Sequence, residues 1–158
     1  MAEHRKLNGL AEYNEAIDEI IALAKRRIMI FDYNLENMGF NSASRSEKLG
    51  DFLIQNAGNS LSIVLKSADY LDRYCPRITQ LLKRFSHNMA IHTIPEMEGL
   101  YDPFCLADGD HYVRRFHFDD PMGVMGIADP HEGRMLLQRF EQIWRASIPA
   151  VHADVTGL

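Results

Sequence analysis

The sequence has few of the residues that cross-link a chain or carry it through a membrane. Its 158 residues include two cysteines, Cys75 and Cys105, and one tryptophan. Two isolated cysteines without metal-ligand spacing predict buried structural thiols, not a disulfide framework or a zinc site. The longest apolar runs, such as Leu61 to Leu65, are far shorter than the roughly 20 residues that cross a bilayer, so no membrane span is predicted.

A surplus of positive charge is also missing. The 17 Lys and Arg residues face 22 Asp and Glu residues, which gives a formal net charge of -5. This balance, without interleaved aromatic and basic residues, argues against a general nucleic-acid binder. The first residues, Met1 to Lys6, lead into a mixed-charge helix and not into an apolar signal core, so we expect a cytoplasmic protein. With no glycine-rich phosphate loop and no metal pattern, neither a cofactor nor a metal is expected.

The hydrophobic pattern predicts one domain over residues 1–158 that begins with alternating helices and strands. A period of three and four predicts a helix over Leu10 to Arg27, and a buried strand follows over Arg27 to Tyr33. Ser44 with Glu47 has capping-box spacing for the next helix. Two further strand and helix alternations follow, an order typical of a parallel α/β sheet. Asp32 and Asn34 would then lie where such sheets place ligands, although a plain polar loop explains them equally.

The pattern changes in the second half of the chain. Three short apolar runs, Phe104 to Ala107, Tyr112 to Phe118 and Met122 to Ile127, follow one another with short connections. Short connections favour antiparallel neighbours, so the predicted sheet is mixed, with a parallel N-terminal part, an antiparallel C-terminal part and helices on its faces. Asp129 is the predicted N-cap of a last helix, and the tail from Ile148 to Leu158 is predicted to be peripheral.

The stretch from Tyr101 to Asp108, followed by two strands and a helix ending in Phe140 to Trp144, resembles the C-terminal half of a phospholipase D-like domain. That family carries the signature H-x-K-x-x-x-x-D. Aligned on Asp108, the histidine of the signature falls on Tyr101 and its lysine on Pro103. Family members attack a phosphodiester with that histidine and hold the phosphate with that lysine. The resemblance therefore implies the family's scaffold with a degenerate catalytic motif.

The resemblance also implies a partner. Phospholipase D-like proteins usually need two copies of the half-domain, and this chain holds one, so a homodimer with a cleft at its two-fold axis is expected.

Four residues are candidates for a residual site that binds a phosphate-bearing or other anionic ligand. Asp108 keeps its signature position and Tyr101 offers a hydroxyl, while Arg115 and His117 are predicted by strand alternation to share one face of the next strand. An arginine binds phosphate through paired hydrogen bonds. The alternative is a purely structural role for all four: a turn for Asp108, packing for Tyr101 and a solvated strand face for Arg115 and His117.

Two other functions stay open. The chain is a divergent phosphodiesterase or nuclease if His117 or His111 acts as nucleophile or base. These histidines lie six residues apart, roughly 20 Å along an extended strand, so they cannot cooperate within one strand. Alternatively, the chain is a dimerisation or partner-binding module without a ligand cleft. The favoured hypothesis is non-catalytic recognition of an anion.

Overall fold

The computed structural model describes residues 2–36, 38–94, 102–117 and 120–150. Eight strands form one sheet, and their bounds are β1 Glu3–Asn8, β2 Arg27–Asp32, β3 Ser60–Leu65, β4 Met89–Thr93, β5 Phe104–Ala107, β6 His111–His117, β7 Asp120–Ile127 and β8 Ile148–Pro149. The five helices are α1 Leu10–Leu23, α2 Ala43–Gln55, α3 Asp69–Tyr74, α4 Pro76–Arg84 and α5 Pro130–Ala146.

The sheet is mixed, as the sequence predicts, and its strand order is β1-β7-β6-β5-β2-β3-β4-β8. β2, β3 and β4 run parallel, joined by helical crossovers. β5, β6 and β7 form an antiparallel meander that joins the parallel part through the pairing of β5 with β2. β2 therefore lies at the centre, where the two halves of the chain meet.

Helices cover both faces of the sheet. On one face, α1, α2, α3 and α4 supply buried residues to the larger core, including Tyr13, Leu49 and Ile78. On the other face α5 packs Leu136 and Phe140 into a smaller core. Strand residues alternate between the two cores, so Ile28 and Ile30 point to the first and Met29 and Phe31 to the second.

Local capping explains several element bounds. Asp129 caps α5 as predicted, because its side chain accepts the Glu132 N–H at 3.3 Å. α2 begins two residues earlier than its capping-box spacing predicts, since Ser42, not Ser44, accepts the Arg45 N–H at 3.0 Å.

The structure differs from the sequence predictions at the N-terminus and at the end of the first helix. The residues Glu3–Asn8, for which the sequence predicted no strand, form β1, which pairs antiparallel with β7. α1 ends at Leu23, four residues before its predicted end. In the predicted peripheral tail, β8 pairs with β4 and the Ala150 N–H donates to Ile91. Residues 151–158 lie outside the described residues.

Candidate functional site

The positions aligned with the phospholipase D signature precede and follow β5 in the sequence. Tyr101, aligned with the histidine of the signature, lies outside the described residues. Pro103, aligned with its lysine, is buried just before β5, and its carbonyl accepts the Arg115 N–H at 3.0 Å. A proline has no side-chain donor and no N–H, so this position offers nothing to a phosphate.

Asp108 holds a turn together at the other end of β5. Its carboxylate accepts the backbone N–H groups of Lys25, Arg26 and Arg27 at 2.9, 2.8 and 3.0 Å. Its own N–H donates to the Arg27 carbonyl, and its φ of 57° places it in the left-handed region of a tight turn. Asp108 thus ties the start of β2 to the end of β5, and its oxygens are already used by the fold.

Arg115 is buried on the α1 face of β6. Its Nε donates to the Asp120 carbonyl at 2.9 Å, and its guanidinium carbon lies 6.0 Å from the ring centroid of Tyr13. Nearby, burial raises the pKa of Asp32 to about 6, although the N–H groups of Tyr33 and Leu35 and the charge of Arg115 act in the opposite direction. Arg115 therefore donates a hydrogen bond to a backbone carbonyl, and its charge stabilises the ionised form of a buried carboxyl group.

His117 and Arg115 differ in their exposure to solvent, although strand alternation predicted that they share one face. His117 is exposed at the end of β6, whereas Arg115 is buried, and the ladder with β7 shifts register between them. His111 lies at the opposite end of β6, and its Nδ1 accepts the Ala128 N–H at 3.0 Å. The two histidines are therefore held apart, as their spacing predicts.

The structure does not assemble the predicted anion site. The register pairs Ala107 with His111 and Phe104 with Arg114, so Arg115 lies level with Pro103 and Asp108 lies at the far end of β5. Five residues of extended chain separate these levels by about 17 Å. One chain therefore does not form the predicted site that combines Asp108 with Arg115 and His117. The strand register puts Asp108 at the opposite end of β5 from Arg115, and residue spacing alone does not reveal that register.

Among the described residues, those around the end of β5 that carries Pro103 leave little free space. We call the region around Asp32, Pro103 and Arg115 the closed edge. The cavity there measures about 10 Å³, no more than one water needs. Its walls include Tyr13, Asp32, Met38, Phe40, Pro103 and Cys105. A buried thiol belongs to this packing, since burial raises the pKa of Cys105 to about 12.

A buried arginine holds the loop over the closed edge. Arg45, at the start of α2, pairs with Asp18 at 2.7 Å and donates to the Asn14 carbonyl at 3.1 Å and to the carbonyl of Met38. These bonds fix Met38 and Phe40, both buried, against α1. The hydrogen bonds of the buried Arg45 therefore hold the loop that contains Met38 and Phe40 in place.

The end of β5 that carries Asp108 has a cavity of about 280 Å³. We call it the open groove, and it is lined by Arg26, Arg27, Met29, Leu106, Asp108, Gly109 and Leu137. It lies on the α5 face of the sheet. α5 comes very close to the turn here, because a Cβ on Gly133 would lie 2.0 Å from the Gly109 carbonyl oxygen. The helix and the turn therefore form fixed walls.

Two guanidinium groups are available at the open groove. Arg26 and Arg27 are exposed, and within the described part of the chain neither pairs with a carboxylate. Arg27 lies along the wall, with its Nη2 3.9 Å from the sulfur of Met29. Sequence reasoning missed these residues, although three consecutive basic residues before a strand were a usable signal. No group of three metal-ligating side chains occurs among the described residues, and no described helix is long and apolar enough to cross a membrane.

Solved structures with a similar fold include three of different kinds. TrmBL2, an archaeal chromatin protein with a novel mode of DNA binding, has a TM-score of 0.70 at 10% identity, and the match covers 94% of this chain and 55% of TrmBL2. Nuc from Salmonella typhimurium, a phospholipase D family member, has a TM-score of 0.63 at 13% identity, over 95% of this chain and 99% of Nuc. NucT from Helicobacter pylori scores 0.58 at 12% identity, over 95% and 100%.

These similarities establish the fold as phospholipase D-like. The chain spans only about half of TrmBL2 but nearly all of Nuc and NucT. No curated protein matches the sequence. Residues 10–153 match the model of the family described as Domain of unknown function (DUF7931), and the chain belongs to that family.

Proposed function

We propose that the chain is a non-catalytic phospholipase D-like domain that binds an anionic ligand in the open groove. The observation that carries the proposal is the pair of exposed guanidinium groups, Arg26 and Arg27, beside a cavity of about 280 Å³. A guanidinium presents donors in a planar fork that matches phosphate and carboxylate oxygens. The proposal keeps the function predicted from the sequence, which is recognition of an anion. It places the binding site at the Asp108 end of β5 and not at the Pro103 end.

The absence of catalysis is supported at the closed edge. The signature's nucleophile and phosphate-holding lysine align with Tyr101 and Pro103, and a proline cannot donate to a phosphate. The cavity beside Pro103, about 10 Å³, is far too small for a phosphodiester. The buried Asp32 nearby would also disfavour an anion whenever it is ionised.

The carboxylate of Asp108 does not defeat anion binding at the open groove. It accepts three backbone N–H groups, which offset part of its negative charge. The two cations beside it belong to side chains that this network leaves out. Although the chain carries a net charge of -5, the mouth of the groove is therefore locally basic.

Titration with inorganic phosphate, followed by amide NMR shifts, tests the site. We expect shifts at residues 25–27 and 109, and at least about tenfold weaker binding in the double variant Arg26→Gln/Arg27→Gln. Asp108 uses only the backbone of these residues, so its turn survives the substitutions. Arg145→Gln, which removes an exposed arginine from the other end of α5, is the control. Equal binding by the double variant and wild type would refute the site.

The enzyme alternative is tested by hydrolysis of bis(p-nitrophenyl) phosphate. Wild type, His117→Ala and His111→Ala are all expected to give the uncatalysed rate. A rate above background that disappears in either variant would show that the chain is a phosphodiesterase.

The homodimer is also part of the proposal, because the resemblance to phospholipase D-like proteins implies two copies of the half-domain and this chain holds one. Light scattering after size exclusion should give twice the chain mass of 18.1 kDa. A dimer in which neither wild type nor Arg26→Gln/Arg27→Gln binds phosphate would favour the module without a ligand cleft.

A further inference from the structure

The floor of the open groove is apolar although its mouth is basic. Met29 on β2 and Leu106 on β5 are buried neighbours across the sheet, and Leu137 of α5 is half-buried opposite them. All three side chains belong to the smaller core on the α5 face. A bare phosphate at the two arginines would leave the part of the cavity that these side chains line unfilled, so it would use only part of the space that the groove offers.

We infer that the ligand of the open groove is an amphiphilic anion, with a phosphate or carboxylate head at Arg26 and Arg27 and a short apolar chain on Met29, Leu106 and Leu137. This inference rests on the proposed function and names the class of its ligand. Small-molecule sites commonly combine an apolar lining with a few placed polar groups, and this groove has that arrangement.

The size of the groove limits the chain. Its volume of about 280 Å³ equals the liquid volume of about nine waters, which suits a chain of roughly six carbons below a head at the mouth. The close contact of Gly133 with the Gly109 carbonyl fixes one end of the groove, so a longer chain has no room to push α5 aside there.

The head group must be held by side chains. The N–H groups of Lys25, Arg26 and Arg27 all donate to Asp108, so these three groups are not available to an anion. The Nη2 of Arg27 lies 3.9 Å from the sulfur of Met29, so the charged end of this side chain is beside the apolar floor. One residue thus joins the two parts of the site.

The inference is tested by comparing three probes on the full chain: inorganic phosphate, hexyl phosphate below its micelle concentration, and hexanol. Each methylene that leaves water adds about fourfold in affinity, so hexyl phosphate should bind at least about tenfold tighter than inorganic phosphate. Hexanol, which lacks the charge, should bind at least about tenfold more weakly than hexyl phosphate. Methyl NMR shifts at Met29, Leu106 and Leu137 should accompany the binding of hexyl phosphate.

A matched pair of variants on α5 separates the chain from the head. Leu137→Asn should remove most of the difference in affinity between hexyl phosphate and inorganic phosphate. Met135→Asn, an exposed residue of the same helix outside the groove, should leave this difference unchanged.

The outcomes distinguish this inference from the function on which it rests. If inorganic and hexyl phosphate bind equally and both depend on Arg26 and Arg27, the anion site stands and the amphiphile is refuted. If neither probe perturbs the groove, the proposed function falls as well. If hexanol binds as tightly as hexyl phosphate, the arginines have no role and both are overturned.

Discussion

The two ends of β5 use arginine in opposite ways. At the closed edge Arg115 is buried, donates to the Asp120 carbonyl and lies in the field of Asp32. At the open groove Arg26 and Arg27 are exposed, their backbone N–H groups donate to Asp108, and no carboxylate of the described residues pairs with their guanidinium groups. The comparison teaches that a basic residue near a family signature is a candidate for ligand binding only when its donors are not already used by the fold.

The largest effect is expected where Asp108 joins the two halves of the chain. Asp108→Ala removes the acceptor of three backbone N–H groups and puts alanine at a φ of 57°, which should cost about 4 kcal/mol of unfolding free energy. Urea unfolding measures the loss. Asp108→Asn keeps the oxygen that serves Arg26 and Arg27 and should cost less than half as much. If both variants match wild type, Asp108 has no structural role.

Replacing an arginine at each end tests the comparison directly. Arg115→Gln removes the bond to Asp120 and leaves Asp32 without its nearby cation, so we expect a loss of about 3 kcal/mol. Arg26→Gln makes the same change in net charge at an exposed site and should stay within about 0.5 kcal/mol of wild type. Thermal unfolding of the two variants side by side provides the measurement, and equal losses would abolish the distinction between the ends.

The closed edge should also make stability depend on pH. Because the pKa of Asp32 is raised from 3.8 to about 6 in the folded chain, folding favours its protonated form. The stabilisation is complete below about pH 4 and is lost as pH rises through 6, by up to about 3 kcal/mol. Asp32→Asn should flatten this part of a stability profile measured by urea unfolding between pH 4 and 7. The exposed control Asp51→Asn should keep it, and an unchanged slope in Asp32→Asn would contradict the assignment.

The smallest effect concerns the wall of the open groove. Gly133→Ala places a Cβ against the Gly109 backbone, which cannot move aside like a flexible side chain, and should cost about 2 kcal/mol. Gly50→Ala, also within a helix, meets Leu81 at an ordinary 3.5 Å and should be neutral or stabilising by up to about 1 kcal/mol. Differential scanning calorimetry compares the two. A Gly133→Ala protein as stable as wild type would mean that α5 is free to shift.

Much of the fold could be predicted because its central elements carry strong periodic signals. The buried residues of β2 and β3 and the stripe of α5 reflect burial on defined faces. β1 gave no such signal, since it is an edge strand in which Leu7 is buried and the other five residues are exposed. Pairing with β7 holds it, and backbone hydrogen bonds leave no trace in a hydrophobic pattern.

The site was harder to predict, because strand spacing fixes which face a residue occupies but not what lies opposite. Arg115 and Asp108 are seven residues apart in sequence, yet the β5–β6 turn between them sends Arg115 back to the level of Pro103. The open groove combines residues from β2, β5 and α5, which no local pattern brings together. Only the run of basic residues before β2 marked its mouth.

The pairing of β1 with β7 also has a consequence for the order of folding. Glu3 pairs with Ile127, so this ladder closes a loop of more than 120 residues, whereas β5, β6 and β7 are joined by short connections. The entropy of loop closure favours local pairings first, so we expect the meander to form early and β1 to be added late. A strand that joins last at an exposed edge is also among the first to open, and its amides should exchange hydrogen fastest in the sheet.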